Sequence, residues 1–244
     1  MTLVPSLPGI ESSKTEAREG ARSAFFNDGV SIVRNLVSPE TIGLTIQAFS
    51  GVSGRPGQRA SALSAPVRNL IASGGPLGQL AAFFAQRDMK PVRILFFDKT
   101  PETNWAVPWH QDRTISVKER IDAPGFATWS VKDGVAHVEP PVAVLEHMLT
   151  LRLFLDDCDP DNGPMEIACD THSLGRIPSQ KAAPFASRSR QFMALGKAGD
   201  VLAMRLLCLH KSDRAAKPSR RRVLHVDYAG EDLPEPLQWR ELSD

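Results

Sequence analysis

The chain has 244 residues, 42% hydrophobic and 23% charged, close to the globular average, so disorder and fibrous repeats are excluded. Its 29 basic and 28 acidic residues leave a net charge of +1, and nothing global favours nucleic acid or an anionic membrane. Three cysteines are too few for a disulfide scaffold, and no apolar run approaches the roughly 18 residues that span a bilayer.

Met1 to Ser13 lacks a basic stretch followed by an apolar one, so no signal peptide is expected and the cytoplasm is the default compartment. One domain over residues 1–244, monomeric or homodimeric, is the expectation. In chain order, about 90 mainly helical residues come first. Thr15 to Asn27 places Ala17, Ala21, Ala24 and Phe25 on one helix face, and Asp28-Gly29 ends it. Val30 to Leu36 alternates as a strand does. Ser38-Pro39-Glu40 supplies a cap, a proline and an acidic first turn for a helix reaching about Phe49. Gly51 to Gln58 reads as a loop, and Pro66 to Ile71 and Leu77 to Arg87 as two helices.

After Met89 the period changes to two. Strands are predicted at Val92 to Lys99, with Arg93 at the exposed start, and at Asn104 to Asp112, Leu149 to Asp156, Met165 to Cys169, Gly199 to Leu206 and Arg222 to Tyr228. Many short strands after a helical opening predict a mainly β fold, an antiparallel barrel or sandwich buttressed by helices. Arg113 to Pro141 is a long polar stretch without clear periodicity, the pattern of a lid or binding loop.

The strongest local feature is Trp109-His110-Gln111-Asp112. Residues two apart on a strand point to one face, so the His110 imidazole and the Asp112 carboxylate converge. They make two-thirds of a 2-His-1-carboxylate facial triad, which leaves positions open on non-haem Fe(II). His210, closing the apolar run Val201 to Leu209, is the candidate second histidine. Ser219-Arg220-Arg221-Arg222 precedes the last strand, and one arginine turned inward would grip a carboxylate bidentately. Alternation along Val223 to Tyr228 does not choose among the three.

Trp109-His110-Gln111-Asp112, then Asn162-Gly-Pro-Met-Glu-Ile, Thr171-His172-Ser173-Leu174-Gly175, and His210-x-Ser212 with Arg221 eleven residues beyond His210, resemble the phytanoyl-CoA dioxygenase family. Phe26-Asn27-Asp28-Gly29-Val30 is similar to the opening of that family, and the resemblance spans roughly Phe25 to Tyr228. It implies a double-stranded β-helix core (jelly-roll, cupin-like) and an Fe(II)- and 2-oxoglutarate-dependent dioxygenase. Such an enzyme uses O2 and decarboxylates 2-oxoglutarate to succinate and CO2 while oxidising a small molecule. The resemblance assigns His110, Asp112 and His210 as iron ligands, Arg221 as partner of the distal 2-oxoglutarate carboxylate, and Ser212 as a hydroxyl donor to that end. Lys99 is a further candidate for that pocket, and Gln111, Trp129 and Lys132 are candidates for the substrate, the last two from the lid. Cys169-Asp170-Thr171-His172 departs from the family's Pro-Gly-Ser-His turn. Asp112 is retained where halogenating relatives carry a small residue, which favours hydroxylation or another oxidation.

Other patterns carry less. Asp157 to Gly163 imitates a calcium loop, but its glycine is seventh and its twelfth residue is Ala168, so an acidic turn is the better reading. No Cys-x-x-Cys pair anchors zinc. His137, His147 and His225 have no partner at ligand spacing, and His172 is read as ordering its turn. Lys118, Arg120 and Lys132 suit a solvated loop as well as an anionic substrate. The rival readings are a hydroxylase of proteins or nucleic acids, and a cupin-like module that binds metal without redox turnover. The sequence leaves the substrate open.

Overall fold

In the computed structural model the described residues are 8–49, 58–59 and 63–242; residues 51–57 of the predicted loop, and residues 1–7, lie outside them. Helix α1 (Pro8–Asp28) ends where Gly29 takes a left-handed φ of 78°, and strand β1 (Val30–Val33) follows. Ser38 caps helix α2 (Pro39–Ala48) by accepting from the Thr41 N–H, as its Ser-Pro-Glu start predicts. A two-residue strand β2 (Gln58–Arg59) leads to helices α3 (Ala65–Ile71) and α4 (Pro76–Ala85), each with proline in its first turn.

The rest is mostly strand: β3 (Lys90–Lys99), β4 (Val107–His110), β5 (Ile115–Val117), β6 (Ala127–Lys132) and β7 (Val135–Glu139). After a short helix α5 (Val142–Glu146) come β8 (Met148–Phe154) and β9 (Met165–Ala168). Helix α6 (Ala182–Ala186) precedes β10 (Gln191–Met193), β11 (Val201–Arg205), β12 (Leu209–Ser212) and β13 (Arg221–Ala229). No helix among the described residues is long and apolar enough to cross a membrane.

Two antiparallel sheets form a jelly roll, the predicted double-stranded β-helix. The larger has the order β1-β11-β8-β13-β3-β2 and the smaller β10-β9-β12-β4. Alternation on the large sheet sorts its two faces. Leu224, Val226 and Tyr228 of β13, with Ile94 and Phe96 of β3, join Phe25, Phe49, Val67, Leu77 and Phe84 of the helical segment in one buried cluster. The Tyr228 hydroxyl, inside that cluster, donates to the Ile71 carbonyl. The opposite face of the same strands carries Arg221, Val223 and His225, and Lys99, Phe97 and Leu95, toward the small sheet. Phe154, Ile167, Leu202 and Met204 fill the rest of the space between the sheets.

Three expectations are corrected. Arg93 is only 8% exposed and faces inward, because β3 starts at Lys90 and places it inside the strand. The apolar run Val201 to Leu209 is broken at residues 206–208, so His210 stands on a separate strand, β12. Arg113 to Pro141 is not structureless: it holds a third antiparallel sheet, order β5-β7-β6. Asp133-Gly134, both at positive φ, turn the β6–β7 hairpin, the Asp-Gly signal that marks this sheet in the sequence. That sheet packs on Leu206, Leu233 and Leu237 as a second apolar cluster.

Candidate functional site

Between the two sheets lies a cavity of about 230 Å³. β4 and β12, paired with His110 opposite His210, form one wall, and β3, β13 and β8 form the other. The two imidazole centres are 4.2 Å apart. β4 stops at His110, so Asp112 reaches the same point from the coil beyond the strand and not by strand alternation.

Among the described residues, His110, Asp112 and His210 are the one group of three metal-competent side chains, with ligand atoms all within 4.8 Å of one another. His110 Nδ1 is 2.8 Å from the Pro108 carbonyl and His210 Nδ1 is 3.0 Å from the Cys208 carbonyl. A carbonyl only accepts, so each Nδ1 carries the proton and each Nε2 presents a lone pair to the shared point. Burial, then the neighbouring His110, lowers the His210 pKa to about 4, which keeps it neutral and able to ligate. Burial opposes ionisation of Asp112, but Arg93 and the surrounding histidines outweigh it and hold the carboxyl below its ordinary range. Two imidazole nitrogens, one carboxylate and an open side fit a divalent transition metal.

The far end of the cavity is cationic. The three consecutive arginines divide their work: Arg220 pairs with Asp98 at 2.8 Å, Arg222 pairs with Asp156 at 2.6 Å, and Arg221 points inward. Arg221 is 7% exposed, its Nε has no hydrogen-bond partner, and the Cys158 thiol is in hydrogen-bond contact with its guanidinium. Lys99, its register partner on β3, is 2% exposed and donates to the Asp213 carbonyl at 2.7 Å. Burial, then Arg221 beside it, brings the Lys99 pKa down to about 8. Two buried cations with an orphaned donor could hold an anion, since an unmet buried polar group is costly. Ser212 borders this end, but its hydroxyl donates to the Gly163 carbonyl at 3.0 Å, so the expected donor is occupied.

Behind Asp112 runs a buried polar chain that the sequence did not reveal. Arg93 Nη2 is 3.9 Å from Asp112 and has no hydrogen-bond partner, while its Nε donates to Asp227. Asp227 also accepts from Thr150 at 2.7 Å and from His225 Nε2 at 2.9 Å. Arg152 donates to His225 Nδ1 at 2.9 Å, which fixes the His225 tautomer with its proton on Nε2.

The remaining candidates fall elsewhere. Gln111 is a clamp: its amide donates to the Gly175 and Leu207 carbonyls and accepts from the Ile177 N–H, each at 2.8 Å. Trp129 packs on the cluster beneath the third sheet, under Arg120, and Lys132 ends β6; neither lines the cavity. His137 is buried against Ser116, and His147 pairs with Glu231. His172 lies in the turn it was expected to order. In that turn Asp170 adopts a left-handed φ of 63°, a conformation aspartate tolerates, where the family's turn has glycine.

A family model described as phytanoyl-CoA dioxygenase (PhyH) matches residues 25–223. No curated protein matches the sequence. Among solved structures, AviO1 from Streptomyces viridochromogenes Tue57 is similar at a TM-score of 0.64 and 22% identity, covering 89% of this chain and 96% of its own. The non-haem α-ketoglutarate-dependent carbocyclase SnoK from nogalamycin biosynthesis is similar at 0.68 and 15%, covering 91% and 86%. EctD from S. alaskensis with 2-oxoglutarate and 5-hydroxyectoine is similar at 0.64 and 18%, covering 86% and 74%. At these identities the likeness is one of fold.

Proposed function

The chain belongs to the phytanoyl-CoA dioxygenase family of Fe(II)- and 2-oxoglutarate-dependent enzymes acting on small molecules, and from that premise we propose that His110, Asp112 and His210 hold the iron while Arg221, with Lys99, holds the distal carboxylate of 2-oxoglutarate. The observation that carries this reading is the pairing of a convergent donor set with a buried, ion-pair-free arginine in one cavity. Neither the non-redox metal module nor the hydroxylase of macromolecules is favoured. The iron, when bound, supplies oxygen activation for attack on an unreactive C–H bond.

The protein's part is positioning. The Pro108 and Cys208 carbonyls orient the two imidazoles, and Arg221 sets the direction in which the co-substrate lies. Lys99, held by the Asp213 carbonyl and the Trp105 face 5.5 Å away, adds a second charge to the same end. Leu95, Phe97, Val107, Met165 and Val223 give the cavity dry walls, which strengthen each of these charge contacts. Hydroxylation is the outcome we favour: substrate C–H, O2 and 2-oxoglutarate become C–OH, succinate and CO2. The three cysteines are free and buried, and the cytoplasm is the compartment we propose.

The test is succinate formation from 2-oxoglutarate in air with added Fe(II), alongside anaerobic binding read by the visible band of the Fe(II)–keto acid pair. Wild type is expected to show both, and His110→Ala neither. Arg221→Ala should weaken 2-oxoglutarate by roughly 10- to 100-fold, the worth of one or two charge-assisted hydrogen bonds. Metal-loaded wild type that does not bind 2-oxoglutarate would refute the assignment.

A further inference from the structure

The proposed ligands leave one cation of the cavity unused. Of the lysines and arginines lining it, Lys211 is neutralised by Glu166 at 3.2 Å and Asp213 at 2.6 Å, and Lys99 and Arg221 make the distal anion site. Arg152 remains. It stands on β8, in register with His225, four residues along β13 from Arg221. Its hydrogen bond is to a neutral imidazole, its guanidinium lies 5.0 Å from the centre of the Phe97 ring, and it forms no ion pair among the described residues. Burial, then Arg221, brings its pKa down to about 10, so it keeps its charge at neutral pH without a partner.

Its position is at the metal end. Arg152 lines the same cavity as His110, Asp112 and His210, and the imidazole it donates to, His225, is bonded through its other nitrogen to Asp227, the partner of the Arg93 that stands behind Asp112. The cavity's charges close without it. A dication bound by the Asp112 carboxylate and by dianionic 2-oxoglutarate leaves one negative charge, which Arg221 alone cancels. Lys99 still serves the distal carboxylate, whereas Arg152 is left with no anion to serve, and Asp112 is the only carboxylate among the described residues of the lining. A half-buried cation with no counter-charge is a feature that a fold retains at a cost. A guanidinium there is matched by a planar, bidentate anion.

We propose that Arg152 is a second carboxylate site of the cavity, beside the metal, and that it selects primary substrates bearing a carboxylate near the carbon to be oxidised. This rests on the assignment of 2-oxoglutarate to Arg221. The same chemistry has one competing source, the keto-acid end of 2-oxoglutarate itself, and the experiment separates the two.

Protein loaded anaerobically with Mn(II) and 2-oxoglutarate is titrated by calorimetry with matched acids and amides: propionate against propionamide, benzoate against benzamide. Wild type, Arg152→Gln and Arg152→Lys are compared, the lysine variant keeping the charge should the glutamine variant fail to fold. Wild type should bind an acid about tenfold or more tightly than its amide, as expected for a charge-assisted pair. Arg152→Gln should erase that gap and leave 2-oxoglutarate binding within about threefold, and Arg152→Lys should keep part of the gap. No acid preference in wild type, or a preference that survives in Arg152→Gln, overturns the proposal. Weakened 2-oxoglutarate binding in Arg152→Gln with the acid preference intact also overturns it and assigns Arg152 to the co-substrate. The 2-oxoglutarate titration comes first: if wild type fails there, it is the Arg221 assignment that has failed.

Discussion

Arg93 shows how much one side chain carries in this site. It neutralises Asp227, which in turn holds His225 and Thr150, and its free Nη2 faces Asp112. Removing the guanidinium leaves Asp227 buried without its countercharge, so Arg93→Met is expected to cost about 3–5 kcal/mol. Pairing that change with Asp227→Asn should recover most of the loss, because a neutral pair needs no countercharge. Urea midpoints of the two variants decide it, and an unchanged midpoint for Arg93→Met would contradict the buried ion pair. The sequence misplaced Arg93 and passed over Arg152 for one reason. A charged residue in an alternating strand reads as solvent-facing, and only register shows that β13 and β3 turn their polar side inward. Arg221 was separable from Arg220 and Arg222 by family spacing alone, and Asp98 and Asp156 are the partners that later distinguish them.

Short elements fix the longer ones at the site. Thr171 donates to the Ala168 carbonyl at 2.7 Å and accepts the Leu209 N–H at 2.9 Å, fastening the end of β9 to β12 one residue before His210. Gly163 closes the acidic turn at a φ of +69°, and a Cβ there would stand 2.8 Å from Lys99 Nζ and 2.8 Å from the Asp213 carbonyl. Gly163→Ala therefore displaces the lysine as well as straining the turn. We expect its 2-oxoglutarate affinity to fall about tenfold, with metal affinity little changed, measured as separate titrations of Mn(II) and of the co-substrate. Equal losses for both ligands would mean a general collapse of the turn. Elements of this kind were partly legible. Ser38, Asp28-Gly29 and the prolines announced their helices from local chemistry. The sheet inside Arg113 to Pro141 went unread because its strands are only three to six residues long, and its one clear signal was Asp133-Gly134.

For the molecule as a whole, burial of its histidines ties stability to acid. His210 has a pKa of about 4 because of burial and then His110, and those of His172 and His225 are also lowered, first by burial. In the unfolded chain these imidazoles return to about 6.5. Between those limits the unfolded chain binds more protons, so the metal-free protein should be fully stable above pH 6.5 and lose stability steadily as pH falls toward 4. Urea midpoints across that window measure it, and a flat profile would contradict neutral burial. The jelly roll itself was readable from periodicity and resemblance, but which residues share the cavity was not, since its two walls come from opposite sheets. That division has a mechanical consequence. On the proposed assignment the two histidine ligands stand on the small sheet and the carboxylate anchors on the large one, so Phe154, Ile167 and Leu202, the spacers between the sheets, would act as the ruler against which the co-substrate is measured. A dicarboxylate one methylene too long or too short would meet both ends out of step.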